Sequence, residues 1–149
     1  MKEVSVGPIS LEQARRIRQV VLRPGHPIET THLRGDHHPA SLHVGAFLDG
    51  DLVGCASVAP QSPAGLERTG DWQLSGVGVL EKARRLGCGH EMVQACLDYI
   101  ASLGGSRVWC HARTSTLRFY ASMGFRAEGE EFNIPISGPH YTMWRKVER

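Results

Sequence analysis

The stretch that most constrains this 149-residue sequence runs from Trp72 to Ile100. An apolar segment, Trp72-Gln73-Leu74-Ser75-Gly76-Val77-Gly78-Val79-Leu80, leads through a basic, glycine-rich turn into residues whose apolar members recur at helical spacing: Met92, Val93, Cys96, Leu97 and Ile100. A strand that feeds a one-sided helix must bury both against a common layer, which makes the chain α/β. The two glycines inside the strand predict a bulge, or a place where ligand approaches the backbone closely.

The flanks extend that layer. Lys2–Val6 reads as a first strand. Ser10 with Gln13 three residues on forms a capping box, and Leu11, Ala14, Ile17, Val20 and Val21 follow at helical spacing up to the Pro24-Gly25 break. Residues 24–41, with three Pro and four His, make a connection long enough to be expected to line a binding site. Strands Leu42–Asp49 and Leu52–Ala59 turn at Asp49-Gly50-Asp51. After the central helix, ended by Gly104-Gly105, come a strand at Arg107–Ala112, a helix at Thr114–Met123 stopped by Gly124, and strands at Arg126–Ile134 and His140–Val147. The order β-α-β-β-β-α-β-α-β-β predicts one domain over 1–149 around a mixed sheet.

Composition excludes several classes. A formal charge of +2, with no basic run or stripe, argues against a nucleic-acid binder. The start lacks the apolar core of a signal peptide, and no apolar run approaches the roughly 20 residues of a membrane span. Cys55, Cys88, Cys96 and Cys110 form no Cys-x-x-Cys and fit buried, reduced thiols; a cytoplasmic protein is expected. Asp36, His37, His38 and His43 lack a complete ligand spacing, so no metal is expected. The basic residues are 14 Arg against 3 Lys, which reflects either forked recognition of anions or coding bias.

The turn Glu81–Gly89 carries the most chemistry. The first amides of a helix have no internal partner and favour an anion such as a pyrophosphate. Gly87 and Gly89 let the backbone come close, and Arg84 and Arg85 supply charge. Neither a completed Gly-x-Gly-x-x-Gly nor a Gly-Lys-Ser/Thr is present. Arg84-Arg85-Leu86-Gly87-Cys88-Gly89 resembles the Arg/Gln-x-x-Gly-x-Gly/Ala element of the GCN5-related N-acetyltransferases (GNAT superfamily), and Phe119-Tyr120-Ala121-Ser122-Met123-Gly124-Phe125 is similar to their second signature. The element order agrees from end to end.

The resemblance implies a single-domain fold with a mixed, mostly antiparallel sheet of about seven strands flanked by helices. It also implies acetyl-CoA as co-substrate, with Val77, Gly78 and Val79 holding the pantetheine arm and thioester carbonyl, and Arg84 to Gly89 with His90 binding the pyrophosphate. Ile17-Arg18-Gln19-Val20-Val21-Leu22-Arg23-Pro24, Trp109-Cys110-His111-Ala112-Arg113-Thr114-Ser115 and Gly138-Pro139-His140 look like the glyphosate N-acetyltransferase subgroup. There Arg23 and Arg113 match residues that bind an anionic acceptor, His140 the base and Tyr120 the acid, while Ser75 stands where that subgroup has a third Arg.

The expected function is direct acetyl transfer, in a ternary complex, to the amine of a small anionic acceptor such as an amino acid or aminophosphonate. A protein or peptide amine is the alternative acceptor, and a non-catalytic acyl-CoA sensor the alternative class. The chain is expected to be a monomer or a homodimer, without nucleic-acid or membrane partners.

Overall fold

A computed structural model describes residues 3–148. In chain order the elements are β1 (Val4–Pro8), α1 (Leu11–Leu22), β2 (Leu42–Leu48), β3 (Asp51–Pro60), β4 (Asp71–Val79), α2 (Cys88–Ser102), β5 (Arg107–Arg113), α3 (Leu117–Ser122), β6 (Arg126–Ile134) and β7 (Gly138–Lys146). The order matches the sequence expectation. The first strand runs later than predicted, to Pro8, and the Lys2 end of that prediction lies outside the described residues.

Local chemistry explains the boundaries. Ser10 Oγ accepts from the Gln13 amide while Gln13 Oε1 accepts from the Ser10 amide, so two donors that the helix cannot satisfy are satisfied reciprocally. Asp49 and Gly50, both at positive φ, turn β2 into β3. The helix expected over Thr114–Met123 is shorter: its first three residues are a 3₁₀ turn, where Thr116 Oγ1 donates back to the Arg113 carbonyl. Gly124, at φ +88°, stops α3 as expected.

The seven strands form one sheet in the order β1-β2-β3-β4-β5-β7-β6. Every neighbouring pair is antiparallel except β4 and β5. α2 packs on one face over the main core, with Met92, Val93, Cys96 and Ile100 fully buried. α1 packs on the other face through Ala14 and Ile17 against Cys55.

Two irregularities make room for a site. β4 and β5 pair only from Asp71–Arg107 to Gln73–Trp109; beyond that β4 stays with β3 and β5 stays with β7, so the sheet splits. In β4, Cys55 faces Gly78 and Ser57 faces Ser75, so Gly76 and Val77 together oppose the single residue Ala56. This is the bulge that the two glycines predicted, with Gly76 at φ +61°.

Candidate active site

The split between β4 and β5 opens into a cavity of about 510 Å³, within the usual range for small-molecule sites. Arg23, Ser75, Val77, Gly78, Val79, Arg84, Arg113, Tyr120 and His140 all line it. The other residues singled out in the sequence, Arg85 to His90, do not; they form the turn and first helical residues at the N-terminus of α2.

One wall of the cavity is built from main chain. The Leu80 amide donates to the Val53 carbonyl at 2.7 Å. Main-chain groups alternate along a strand, so those of Val77 and Val79 turn away from β3 toward the split. The Val79 carbonyl there accepts a 3.3 Å hydrogen bond from Arg84 Nε. At the outer end, the amides of Cys88, Gly89 and His90 open α2 and have no carbonyl within the helix to donate to. Main-chain groups along the split, three helix-opening amides and two arginines beside them suit an extended thioester ending in a pyrophosphate.

Two glycines of this turn also have structural reasons. Gly87 sits at φ +85°, a conformation the turn requires. A Cβ at Gly89 would meet the Phe119 ring at 3.2 Å, so this glycine also serves the packing of α2 on α3. The Cys88 side chain is buried, leaving only its amide for a ligand.

The other wall is built from side chains. His140 is buried, and its Nδ1 lies 2.7 Å from the Gly138 carbonyl. A proton on Nδ1 donates there and leaves Nε2 as an acceptor. Burial lowers the His140 pKa, the charges of Arg113 and Arg23 lower it further, and together they outweigh the Gly138 carbonyl. The imidazole is therefore neutral at pH 7 and able to take a proton. Tyr120 is buried, and its hydroxyl makes no hydrogen bond to another described residue. Burial, with the Cys110 and Cys96 thiols nearby, drives its pKa well above the usual phenol range against the opposing charge of Arg113. It stays protonated and can donate.

Arg23 and Arg113 converge on the end of α1, both donating to the Leu22 carbonyl, at 2.9 and 3.2 Å. Arg23 also donates to Ser137 Oγ at 2.7 Å, tying α1 to the β6–β7 turn. Burial and the adjacent Arg113 charge lower the Arg23 pKa. Among the described residues neither guanidinium has a carboxylate partner.

All four cysteines are buried and free. Burial pushes the Cys110 thiol, which reaches the cavity, up to about 12. That makes it a poor nucleophile.

Two features escaped the sequence reading. Arg18 is 1% exposed and forms a bidentate pair with Asp36, both contacts 2.9 Å, while also donating to Thr31 O and Ser57 Oγ. His43 sits 2.6 Å from Ser57 Oγ in the same network. Asp36 and His43 thus anchor Arg18 and the 24–41 connection. Burial opposes ionisation of Asp36, but the Arg18 guanidinium and the Leu33 amide outweigh it and hold the carboxyl below its ordinary range. Thr30, Thr31 and Leu33 of the connection line the cavity, as its length led the sequence reading to expect. Second, His111 and Gln73 also face it. The one available signal for His111 was its alternation with Arg113 along β5.

No helix among the described residues is long and apolar enough to cross a membrane.

Residues 11–125 match the model of the acetyltransferase (GNAT) family. An uncharacterized N-acetyltransferase of Bacillus subtilis, YitI, is 35% identical over 144 residues, covering 97% of each chain. Among solved structures, Ard1 from Thermoplasma volcanium superposes with a TM-score of 0.77 at 21% identity, over 98% of this chain and 99% of that one. An aminoglycoside 6'-N-acetyltransferase complexed with coenzyme A gives a TM-score of 0.75 at 15% identity, over 97% of this chain and 98% of that one. The split sheet, the bulged strand, the amide-lined turn and these likenesses agree: the chain belongs to the GNAT family of acetyltransferases, which use acetyl-CoA as co-substrate.

Proposed function

We propose that the protein transfers the acetyl group of acetyl-CoA directly to the amine of a small acceptor carrying a carboxylate or phosphonate. The observation that carries this reading is the pair of guanidiniums, Arg23 and Arg113, facing the cavity with no carboxylate of their own. Two adjacent, partly buried cations repel each other unless an anion joins them. His140 lies opposite Arg113 in the β5–β7 ladder, so an anion held by the arginines brings a neighbouring amine to the base. The resemblance of this wall to the glyphosate N-acetyltransferase subgroup supports the same class of acceptor. Ser75 leaves the wall one Arg short of that pattern.

Each residue has a role in the proposed reaction. Acetyl-CoA supplies an activated acetyl carbon to which the amine nitrogen bonds as the carbon–sulfur bond breaks. His140 Nε2 takes the proton that the amine loses. The Val77 and Val79 amides face the split and stabilise charge developing on the acetyl oxygen. Tyr120 gives its proton to the departing sulfur. Val77 to Val79, with Arg84 to His90, hold the co-substrate along its length. The high pKa of Cys110 supports transfer in a ternary complex over a thiol-bound intermediate. The Arg23–Ser137 bridge narrows the acceptor side and favours a small molecule over an extended peptide.

The test is release of free CoA thiol across a panel of amino acids, aminophosphonates, uncharged amines and peptides. Turnover concentrated on the anionic small amines is expected. Turnover confined to peptides would overturn the acceptor assignment, and binding of acetyl-CoA with no turnover on any amine would leave a sensor in place of an enzyme.

A further inference from the structure

One exposed side chain at the cavity is flanked by aromatic rings and makes no hydrogen bond to another described residue. On β5, residues 109, 111 and 113 share a face. Trp109 donates from Nε1 to the Gln61 carbonyl at 2.8 Å, and Arg113 holds the end of α1. His111, between them, sits against Trp109 (ring centroids 5.1 Å apart) and edge-on to Phe132 (5.0 Å). Two aromatic neighbours fix the imidazole plane, but its ring nitrogens bond to no described residue. The Gln73 side-chain amide, on the strand segment that pairs with Trp109, faces the same cavity and is likewise without a partner among the described residues.

The cavity therefore has two ends of different chemistry. Arg23 and Arg113 make one end cationic. At the other, His111 and Gln73 present neutral donors and acceptors, and no Asp or Glu lines the cavity. Burial lowers the His111 pKa, and the charges of His140 and Arg34 lower it further, so the ring stays neutral. A neutral imidazole offers one donor and one acceptor, and a carboxamide offers both as well. Arg18, which also lines the cavity, is paired with Asp36, and Arg34, whose charge His111 senses, does not line it, so a second carboxylate would find no free cation here, and a purely aliphatic group would leave both side chains unpaired. The ends lie about 7 Å apart, two residues along the strand, a few bonds in a small molecule.

We infer that His111, with Gln73, reads an uncharged hydrogen-bonding group, a hydroxyl or carboxamide, at the end of the acceptor remote from its anion. This rests on the assignment of Arg23 and Arg113 to an anionic acceptor and narrows it to polar, uncharged amino acids or their phosphonate counterparts.

The experiment measures kcat and KM with acetyl-CoA on near-isosteric pairs, threonine against valine and glutamine against methionine. The native protein is expected to favour the polar member about tenfold or more in kcat/KM, because polar groups that the bound acceptor shuts off from water discriminate strongly when left unpaired. His111→Phe keeps the aromatic packing and Gln73→Leu keeps the bulk; each should bring the ratio toward one, chiefly by raising KM for the polar member. His111→Gln, which restores a donor and an acceptor, should recover part of it. Calorimetric titration with CoA checks that each variant remains folded at the co-substrate side. A native ratio near one, or a ratio that survives His111→Phe and Gln73→Leu, overturns this inference alone. Absence of turnover on every anionic amine overturns the arginine assignment and this inference with it.

Discussion

Arg18 and Arg23 leave the same helix little more than one turn apart, and they illustrate two uses of one side chain. Arg18 turns inward. Its terminal nitrogens make four hydrogen bonds, two of them to Asp36, while its Nε, without a partner among the described residues, lies where a side chain at Gly76 would collide with it. Arg23 turns along the cavity, with only a main-chain carbonyl and a serine hydroxyl for company. A cation whose counter-charge is built into the fold holds structure together. One whose counter-charge is missing is available for a ligand. Residue type distinguishes neither, and the partner decides.

Substitutions sharpen the contrast. Asp36→Ala leaves Arg18 buried and uncompensated, which costs about 3–5 kcal/mol. The melting temperature should fall by roughly 10 °C, a loss that thermal denaturation reads directly. An unchanged melting temperature would show that Arg18 does not depend on its partner. Tyr120→Phe should act oppositely, leaving the melting temperature in place because no internal hydrogen bond is lost. Its kcat should drop by about 100-fold or more in the thiol-release assay, with CoA affinity retained. A variant with full turnover would remove Tyr120 from the proposed reaction.

Arg23→Gln and Arg113→Gln should raise KM for anionic acceptors by about tenfold to a hundredfold, with little change in melting temperature. Equal losses on uncharged amines would break the contrast with Arg18. Ser75→Arg, adding a third cation to the wall, should lower KM for the same anions.

The smallest effect is on pH. A lowered His140 pKa places the acidic limb of kcat/KM below the ordinary histidine value of 6.5. Removing the Arg113 charge should move the limb upward. The same shift has a stability consequence of definite sign. Below pH 6.5 the unfolded chain binds a proton that the native His140 still refuses, so its contribution is intact above that pH and declines as pH falls through it. A limb that stays fixed in Arg113→Gln would mean that the two groups do not sense each other.

Local signals made the scaffold readable. The Ser10–Gln13 box, the Asp49-Gly50 turn, the Gly124 stop and the bulge-forming glycines each act within a few residues, so their consequences follow from adjacency in sequence. The Arg84–Gly89 turn was readable for the same reason. Arg18 and Asp36 were not, because the connection must first fold back across α1 before the pair exists. The packing role of Gly89 was not readable, because Phe119, the neighbour it accommodates, belongs to another helix. His111 was hidden in plain view, since nothing in a strand says which polar side chain will be left without a partner.

In the proposed site, the Val77–Val79 strand and the first turn of α2 meet the co-substrate with peptide groups, and every amino acid carries those. Most substitutions there change a side chain and leave the donors standing; only proline removes an amide. That half of the protein can drift in sequence while keeping its role. The facing half, assembled from arginines, histidines and a tyrosine, gains or loses a preference with each replacement. A lineage built this way can change what it acetylates many times without relearning how to hold the acetyl donor.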